Sequence, residues 1–462
     1  MTEIVAIDTP SLGDRGYLAT DGTVALVVDA QRDFDRVLAL AADRGVAITH
    51  VFETHIHNDY VTGGLALARE VGAHYLVNGE DPVSFGRTPI WDGDLVDVGG
   101  MSMQVFGTPG HTYTHLSYAL RDRAAGDDGD QVLAAFTGGS LLNGSTGRTD
   151  LLGTDHAEDL CRAQYGSAHR LAAELPPSTC VCPTHGFGSF CAATPATGQQ
   201  STIGDELRLN PALTSAESDF VEQLLTNLDA YPGYYAHMGP TNLAGPAAPD
   251  LSPPRRADPD ELRRRIDAGE WVVDLRARRA FASGHLHGAL NFEVGASLAT
   301  YLGWLIPWGT PLTLIGSSAR DVAEAQRELC RVGLDAIEAA ASGPAAKWAQ
   351  GQELESFRIA DFAALALQAG NEAVIVLDVR RRPEWSARHL EGSLNIPLHE
   401  LAARMHEIGD GEIWVHCQAG YRAAVAASML AARGRDVVAI NDTFEAARQA
   451  GLATASVAST GY

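Results

Sequence analysis

Apolar positions in the first half of the chain recur in short blocks that switch between two periods. "TVALVVDA" (23–30) is a near-continuous apolar run and predicts a strand. "FDRVLALAADRG" (34–45) has helical spacing and stops at Gly45. "ITHVFETHIH" (48–57) predicts a strand running into a loop, and "TGGLALAREVGA" (62–73) a helix. Further strand-like runs follow at "AHYLVN", "SMQVFGTPGH", "HLSYALR" and "QVLAAFTGG". Strands outnumber helices, so residues 1–240 are expected to form one layered α/β domain.

"MGPTNLAGPAAPDLSPPRRADPDEL" (Met238–Leu262) is too rich in Pro, Gly and Ala to hold a sheet or a long helix, and predicts a linker over 241–257. Beyond it the pattern repeats. "WVVDLRARRAFASGHLHGALNFE" starts at Trp271, and "VIVLDVRRRPEWSARHLEGSLNIPL" starts at Val374. Both read apolar run, Asp, apolar residue, Arg, helical stretch, then His, two residues, Gly, a small residue, Leu and Asn. Such a match predicts two copies of one domain, over 258–352 and 353–462. Each copy continues with another apolar run ("TPLTLIG" and "GEIWVHC"), a loop and a helix, which predicts parallel sheets covered on both faces.

Composition narrows the function. The net charge of −24 with no long basic run argues against nucleic acid or an anionic membrane surface as partner. An anionic substrate must then be held by local arginines. No apolar run nears the roughly 20 residues of a membrane span. The start "MTEIVAIDTPSLGDRGYL" lacks the pattern of a signal peptide, so the expected location is cytoplasmic. Six cysteines in 462 residues make no disulfide framework; they read as core residues, ligands or reactive thiols.

One cysteine has a special setting. In "HCQAGYRA", Cys417 sits between the strand "EIWV" and the helical run "AAVAASMLAARG". Backbone N–H groups and the helix dipole converge there and favour an anion, the condition for a nucleophilic thiol. Arg422 can fold back over the loop with a planar fork for an oxyanion. The segment resembles the active-site loop of rhodanese sulfurtransferases. "DVR" (378–380) and "HLEGSLNIP" (389–397) resemble two further signatures of that family. The resemblance implies that Cys417 carries a persulfide sulfur and that Arg422 helps bind the anionic substrate. The loop is one residue shorter than in the phosphatase version of this fold, so a phosphatase role ranks last. The first copy offers Gly316 in "LIGSSARD" where Cys417 would fall, and its loop is shorter by one residue. It reads as a rhodanese homology domain without a nucleophile.

The N-terminal half carries a metal-ligand pattern. In an extended segment His55, His57 and Asp59 point the same way. "TPGHT" delivers His111 and "CPTHGFGSFC" delivers His185, each at a strand end. Histidines from several strand ends make a transition-metal site. His50, His74, His115, His156, His169 and His237 read as ordinary polar residues, and Cys161, Cys180, Cys182 and Cys330 as core. The ligand set resembles the metallo-β-lactamase fold, and within it the persulfide dioxygenases. The further matches are "GRTDLL" (147–152), "HGFGSFC" (185–191) and "STIGDELRLNPAL" (201–213). The expected fold is therefore α/β, an αββα metallo-β-lactamase sandwich followed by two rhodanese domains with parallel sheets, as in bacterial fusions of a persulfide dioxygenase with a sulfurtransferase.

The resemblance is broken at two positions. Tyr60 stands where binuclear zinc hydrolases of the superfamily carry a histidine, so one metal is expected. The resemblance also implies one Fe(II) held by His55, His111 and an aspartate, and the aspartate position is Gly139 in "AFTGGSLL". Three outcomes stay open: iron on two histidines and waters, a site of His55, His57 and His111 that takes zinc or iron, or a scaffold without metal. We favour an occupied mononuclear site on His55, His57 and His111. Asp59, His185, Arg148 and Asp150 read as supporting residues or remnants of a second metal position, Asp150 as a structural partner of Arg148. Cys191 resembles the cysteine after the "HGAGS" motif of the bacterial fusions and reads equally as a persulfide relay or a small packed residue.

The implied activity oxidises a small thiol persulfide with dioxygen to sulfite and passes sulfane sulfur through Cys417 to give thiosulfate. Homo-oligomerisation is expected from the family. The alternatives are a zinc thioester hydrolase resembling glyoxalase II with a sulfurtransferase domain, and a sulfurtransferase on a non-catalytic scaffold.

Overall fold

The computed structural model describes residues 2–123, 131–194, 198–295 and 297–457. The chain divides into two compact units, one over Met1–Asp250 with Leu329–Gly333 and one over Leu251–Glu328 with Leu334–Tyr462.

The first unit stacks two six-stranded sheets. One runs in the order Glu3–Thr9, Asp14–Thr20, Val24–Val28, Ala47–Phe52, His74–Asn78, Thr88–Ile90. Its first two pairings are antiparallel and the rest parallel. The helices Asp35–Arg44 and Gly64–Val71 make crossovers and end at Gly45 (φ 64°) and Gly72 (φ 70°), left-handed positions that glycine adopts without strain. The other sheet runs Ser201–Thr202, Cys180–Pro183, Gln131–Gly138, Leu116–Asp122, Met101–Gly107, Leu95–Val98. Tyr17, Leu26 and Phe52 of one sheet and Met103, Tyr118 and Phe136 of the other share one buried cluster. Val37 and Leu65 cover the outer face of the first sheet, and Leu171 and Phe220 that of the second. This is the αββα order that the resemblance to the metallo-β-lactamase fold implies.

The stretch read as a linker is partly ordered. The helix Tyr235–Ala244 runs through Pro240. Asn242 holds it: Nδ2 donates to the carbonyls of His57 (2.8 Å) and Tyr60 (2.9 Å), and Oδ1 accepts from the Thr62 amide (3.0 Å). These buried tertiary bonds offset the one helical bond that proline removes. At the far end, Asp258 caps the helix Pro259–Asp267, which opens on proline.

The second unit holds the repeat. One parallel sheet runs Leu290–Asn291, Trp271–Asp274, Leu312–Gly316, Ile337–Ser342. The other, also parallel, runs Arg358–Ala360, Val437–Ile440, Glu412–His416, Val374–Asp378, Leu394–Asn395. Both copies are wired alike. Arg276 donates to Asp274 at 2.6–3.0 Å, as Arg380 does to Asp378. Asn291 and Asn395 each donate to both carbonyls of their own Asp–Arg pair. His285 stacks on Phe281 at 4.0 Å, and His389 on Trp385 at 3.8 Å.

Candidate functional site

The first sheet ends at Phe52, and the segment from Glu53 to Tyr60 is a bent loop rather than an extended strand. The convergence expected from strand alternation is therefore reached by another route. His55, His57, Asp59, His111 and His185 are all at most 2% exposed. The ring of His55 lies 4.1 Å from that of His57, 4.8 Å from His111 and 5.4 Å from His185. Among the described residues three groups have ligand atoms within 4.8 Å of one another: His55, His111 and His185; His57, Asp59 and His185; and Asp29, Glu53 and His57. None of them is the expected set of His55, His57 and His111. His185, read from sequence as a remnant, belongs to the first two.

Each ring is fixed by its outer nitrogen. The His111 Nδ1–H donates to the Arg148 carbonyl (2.7 Å), which leaves its Nε2 lone pair inward. The His57 Nε2–H lies 3.2 Å from both Asp29 and Glu53, which leaves Nδ1 inward. Nδ1 of His185 donates to Asp14 (2.9 Å), and its Nε2 sits 3.4 Å from Nε2 of His55. His57 Nδ1, His111 Nε2 and Asp59 Oδ1 are buried without a hydrogen-bond partner. Such orphaned atoms are costly unless something completes them, and imidazole lone pairs with a carboxylate beside them suit a transition metal. The residues present fit a metal ion.

Electrostatics follow from burial. Burial pushes His111 down to about 3, with His185 adding to the effect, and pushes His55 well below the ordinary range. Burial also disfavours the charged form of His57, but Asp29 and Glu53 reverse this and raise it to about 9. Burial and Asp59 raise Asp14 to about 7; Asp59, opposite His185, stays ionised.

Gly139 lies against His111. A Cβ there would lie 2.3 Å from Cδ2 of His111, and one on Gly147 would lie 2.7 Å from its Nδ1. His111 is clamped between two glycines, and its ring fills the space an aspartate at 139 would need. Tyr60 stacks behind His57 at 4.3 Å with its hydroxyl 2.9 Å from Nε2, so it backs that histidine on the side away from the lone pair. Arg148 grips Asp150 with Nε (2.6 Å) and Nη2 (2.7 Å), the structural pairing expected for Asp150. Cys191 is fully buried, and burial and Asp59 push its thiol well up, which keeps it protonated. Cys161 and Cys330 are buried as expected, whereas Cys180, read as core, is exposed at the first position of its strand.

In the second unit, Cys417 follows the strand Glu412–His416. Its Sγ accepts from the amides of Gly420 (3.2 Å) and Ala423 (3.4 Å) at the start of the helix Tyr421–Ala431. Gly420 has φ 86°, which turns its N–H onto the sulfur. Arg422 is held by an acidic partner. It grips Glu384 with both terminal nitrogens at 2.6 and 2.7 Å, and Glu384, although partly buried, is held down at about 2 by that pair. In the first copy Asp274 pairs with Ile315, as Asp378 pairs with His416, so Gly316 takes the place of Cys417.

Sequence reasoning missed Asp14, Asp29, Glu53 and Glu384. Asp29 had a faint signal, an acidic residue closing the apolar run "TVALVVDA", and Glu53 stands four residues before His57, which it holds; Asp14 and Glu384 lie in segments with no spacing relation to the residues they hold.

Comparison with known proteins agrees with this geometry. Residues 361–450 match the rhodanese-like domain family. The chain is 27% identical over 220 residues to the mitochondrial persulfide dioxygenase ETHE1 of Homo sapiens, covering 47% of this chain and 75% of that protein. It is 30% identical over 198 residues to a hydroxyacylglutathione hydrolase of Cereibacter sphaeroides, covering 41% of this chain and 70% of the hydrolase. The chain belongs to the metallo-β-lactamase fold family. It carries an ETHE1-like region of that family fused to a rhodanese domain. A metallo-β-lactamase crystal structure from Staphylococcus aureus superimposes with a TM-score of 0.65 at 26% identity, covering 74% of this chain and 99% of that one. Within this metallo-β-lactamase–rhodanese fusion, the imidazole cluster sits where the ETHE1-like region ends its strands, and Cys417 lies inside the matched rhodanese segment.

Proposed function

We propose that this enzyme of sulfur metabolism oxidises a small thiol persulfide at the imidazole cluster and transfers sulfane sulfur at Cys417. The observation that carries the reading is the presence in one chain of a metal-competent cluster with orphaned imidazole nitrogens and a cysteine cradled by backbone amides. His55, His111 and His185 would hold one ion, with His57 and Asp59 beside them. An iron(II) ion there would supply the redox chemistry that dioxygen consumption requires. The chain's own residues do the rest. Asp29 and Glu53 keep His57 in the tautomer whose Nδ1 faces inward, and the Arg148 carbonyl does the same for His111 Nε2. The overall conversion takes persulfide, dioxygen and water to thiol and sulfite, with protons released.

At Cys417, the thiolate attacks the outer sulfur of a persulfide RSSH. The donor S–S bond breaks, RS⁻ leaves, and the enzyme keeps the outer sulfur as Cys417–S–SH. Sulfite then attacks that outer sulfur, Cys417 departs as thiolate, thiosulfate is released and the proton passes to solvent. The Gly420 and Ala423 amides stabilise the thiolate in both directions.

The test is oxygen uptake with a thiol persulfide on protein whose iron content is confirmed. Uptake with sulfite formation supports the reading, and none sinks the oxidative half. The hydroxyacylglutathione hydrolase relative favours a second reading, zinc-dependent thioester hydrolysis. Turnover of a glutathione thioester by zinc-loaded protein, with no oxygen uptake by the iron form, would select it.

A further inference from the structure

We propose that His115 is a positioning residue of the metal centre: its Nε2 pins the strand end Gly138–Gly139 among His55, His111 and His185. This rests on the reading that those three histidines hold an ion.

In the sequence His115 reads as an ordinary polar residue. In the structure it is 1% exposed and joins the imidazole cluster, its ring stacked on His55 at 4.9 Å and 25°. It is no ligand, because both its nitrogens are spent. Nε2 accepts from the Gly139 amide (3.0 Å). A backbone N–H can only donate, so Nε2 carries the lone pair and Nδ1 the proton. Nδ1–H donates to the Thr108 hydroxyl (2.9 Å), which also meets the Ser117 hydroxyl (2.8 Å). The backbone around the ring is fixed as well. The Thr108 amide donates to the His115 carbonyl (2.9 Å), and the Leu116 amide to the Thr54 carbonyl (2.7 Å).

The strand end that His115 grips reaches each ligand. Gly139 packs against His111, where a Cβ would lie 2.3 Å from Cδ2, and its carbonyl accepts from the Gly147 amide (2.9 Å) beside the same ring. The Gly138 carbonyl accepts from the amide of Thr184 (3.0 Å), the residue before His185. Gly138 stands at φ 51°, and a Cβ on it would lie 2.5 Å from Thr54 Oγ1 and 2.6 Å from His115 Nε2. That Thr54 hydroxyl donates to Asp29 (2.7 Å), so it accepts from Nδ1–H of His55 (2.9 Å) and leaves the His55 Nε2 lone pair facing the cluster. Without the His115 acceptor the buried Gly139 N–H loses its partner. So tightly packed a strand end relieves that cost only by moving, and it carries His111 with it.

The test titrates the full chain, freed of metal, with Co²⁺, whose visible bands report the ligand set and its geometry. His115→Phe keeps a ring on His55 and removes the acceptor. His115→Asn keeps a donor for Thr108 and is too short for Gly139. His115→Gln gives up the stacking but keeps a carbonyl oxygen within reach of the Gly139 amide. The first two are expected to bind Co²⁺ at least about tenfold more weakly with shifted bands, and the glutamine variant within about threefold of the parent with its spectrum retained. Far-UV circular dichroism establishes which variants fold. Parental affinity and spectrum in a variant without the acceptor, or a glutamine variant as weak as the other two, overturns the proposal and leaves the metal reading intact. Loss of folding in both acceptor-free variants also overturns it, by making His115 a folding residue. A parent chain that takes up no Co²⁺ overturns the metal reading and this proposal with it.

Discussion

The two C-terminal repeats share their framework and part company at one loop. Both carry an Asp–Arg pair at the end of the central strand, an asparagine that bridges the carbonyls of that pair, and a histidine stacked on an aromatic ring. In one, the next strand ends in Cys417 and a loop long enough to aim two amides at sulfur. In the other it ends in Gly316, and Ser318 turns at once to cap the next helix, bonding Asp321 through its amide and hydroxyl. The framework residues thus serve folding in both copies, and the copies differ at the loop, which cradles a thiol in one and carries none in the other.

The strongest blow to this contrast is Cys417→Ser. Sulfur transfer should fall by about 10³-fold or more, with metal content unchanged, as read by thiosulfate formation and elemental analysis. Next, Arg276→Ala and Arg380→Ala should destabilise their own repeats alike, by about 3–5 kcal/mol in denaturant melts, because each strands a fully buried aspartate. A cost confined to Arg380 would mean the framework serves catalysis rather than folding. Glu384 supplies a subtler test. Its pKa falls from 4.5 to about 2 against Arg422, so the stability it adds is complete above 4.5 and drains away as pH drops toward 2. Acid titration of Glu384→Gln should lack that slope. Smallest of all is Gly316→Cys in the Cys417→Ser chain. A Cβ at 316 would lie 3.1 Å from Cβ of Asp321, and the loop is one residue shorter, so transfer should stay at the level of the single variant. Restored transfer would break the contrast.

Legibility in the sequence tracked distance along the chain. Cys417 and its helix are adjacent in sequence, and the repeat announces itself residue by residue, so this part of the fold was readable. His55, His57, His111 and His185 were readable as residue types at strand ends. Their supports were not. Asp14, Asp29 and Glu384 reach His185, His57 and Arg422 only through the fold, and no spacing encodes such a meeting. Asn242 shows the same limit: its three bonds to the metal loop make a helix of a proline-containing stretch that composition alone marks as irregular. Strand alternation predicted the right cluster for the wrong local reason, since the segment after Phe52 bends.

The glycine clamp on His111 also bears on how this chain can change. Putting aspartate at 139 would drive a carbon into the imidazole, whose Nδ1–H is bonded to the Arg148 carbonyl. A carboxylate can therefore enter at 139 only if the histidine shifts with it, so the two positions change together.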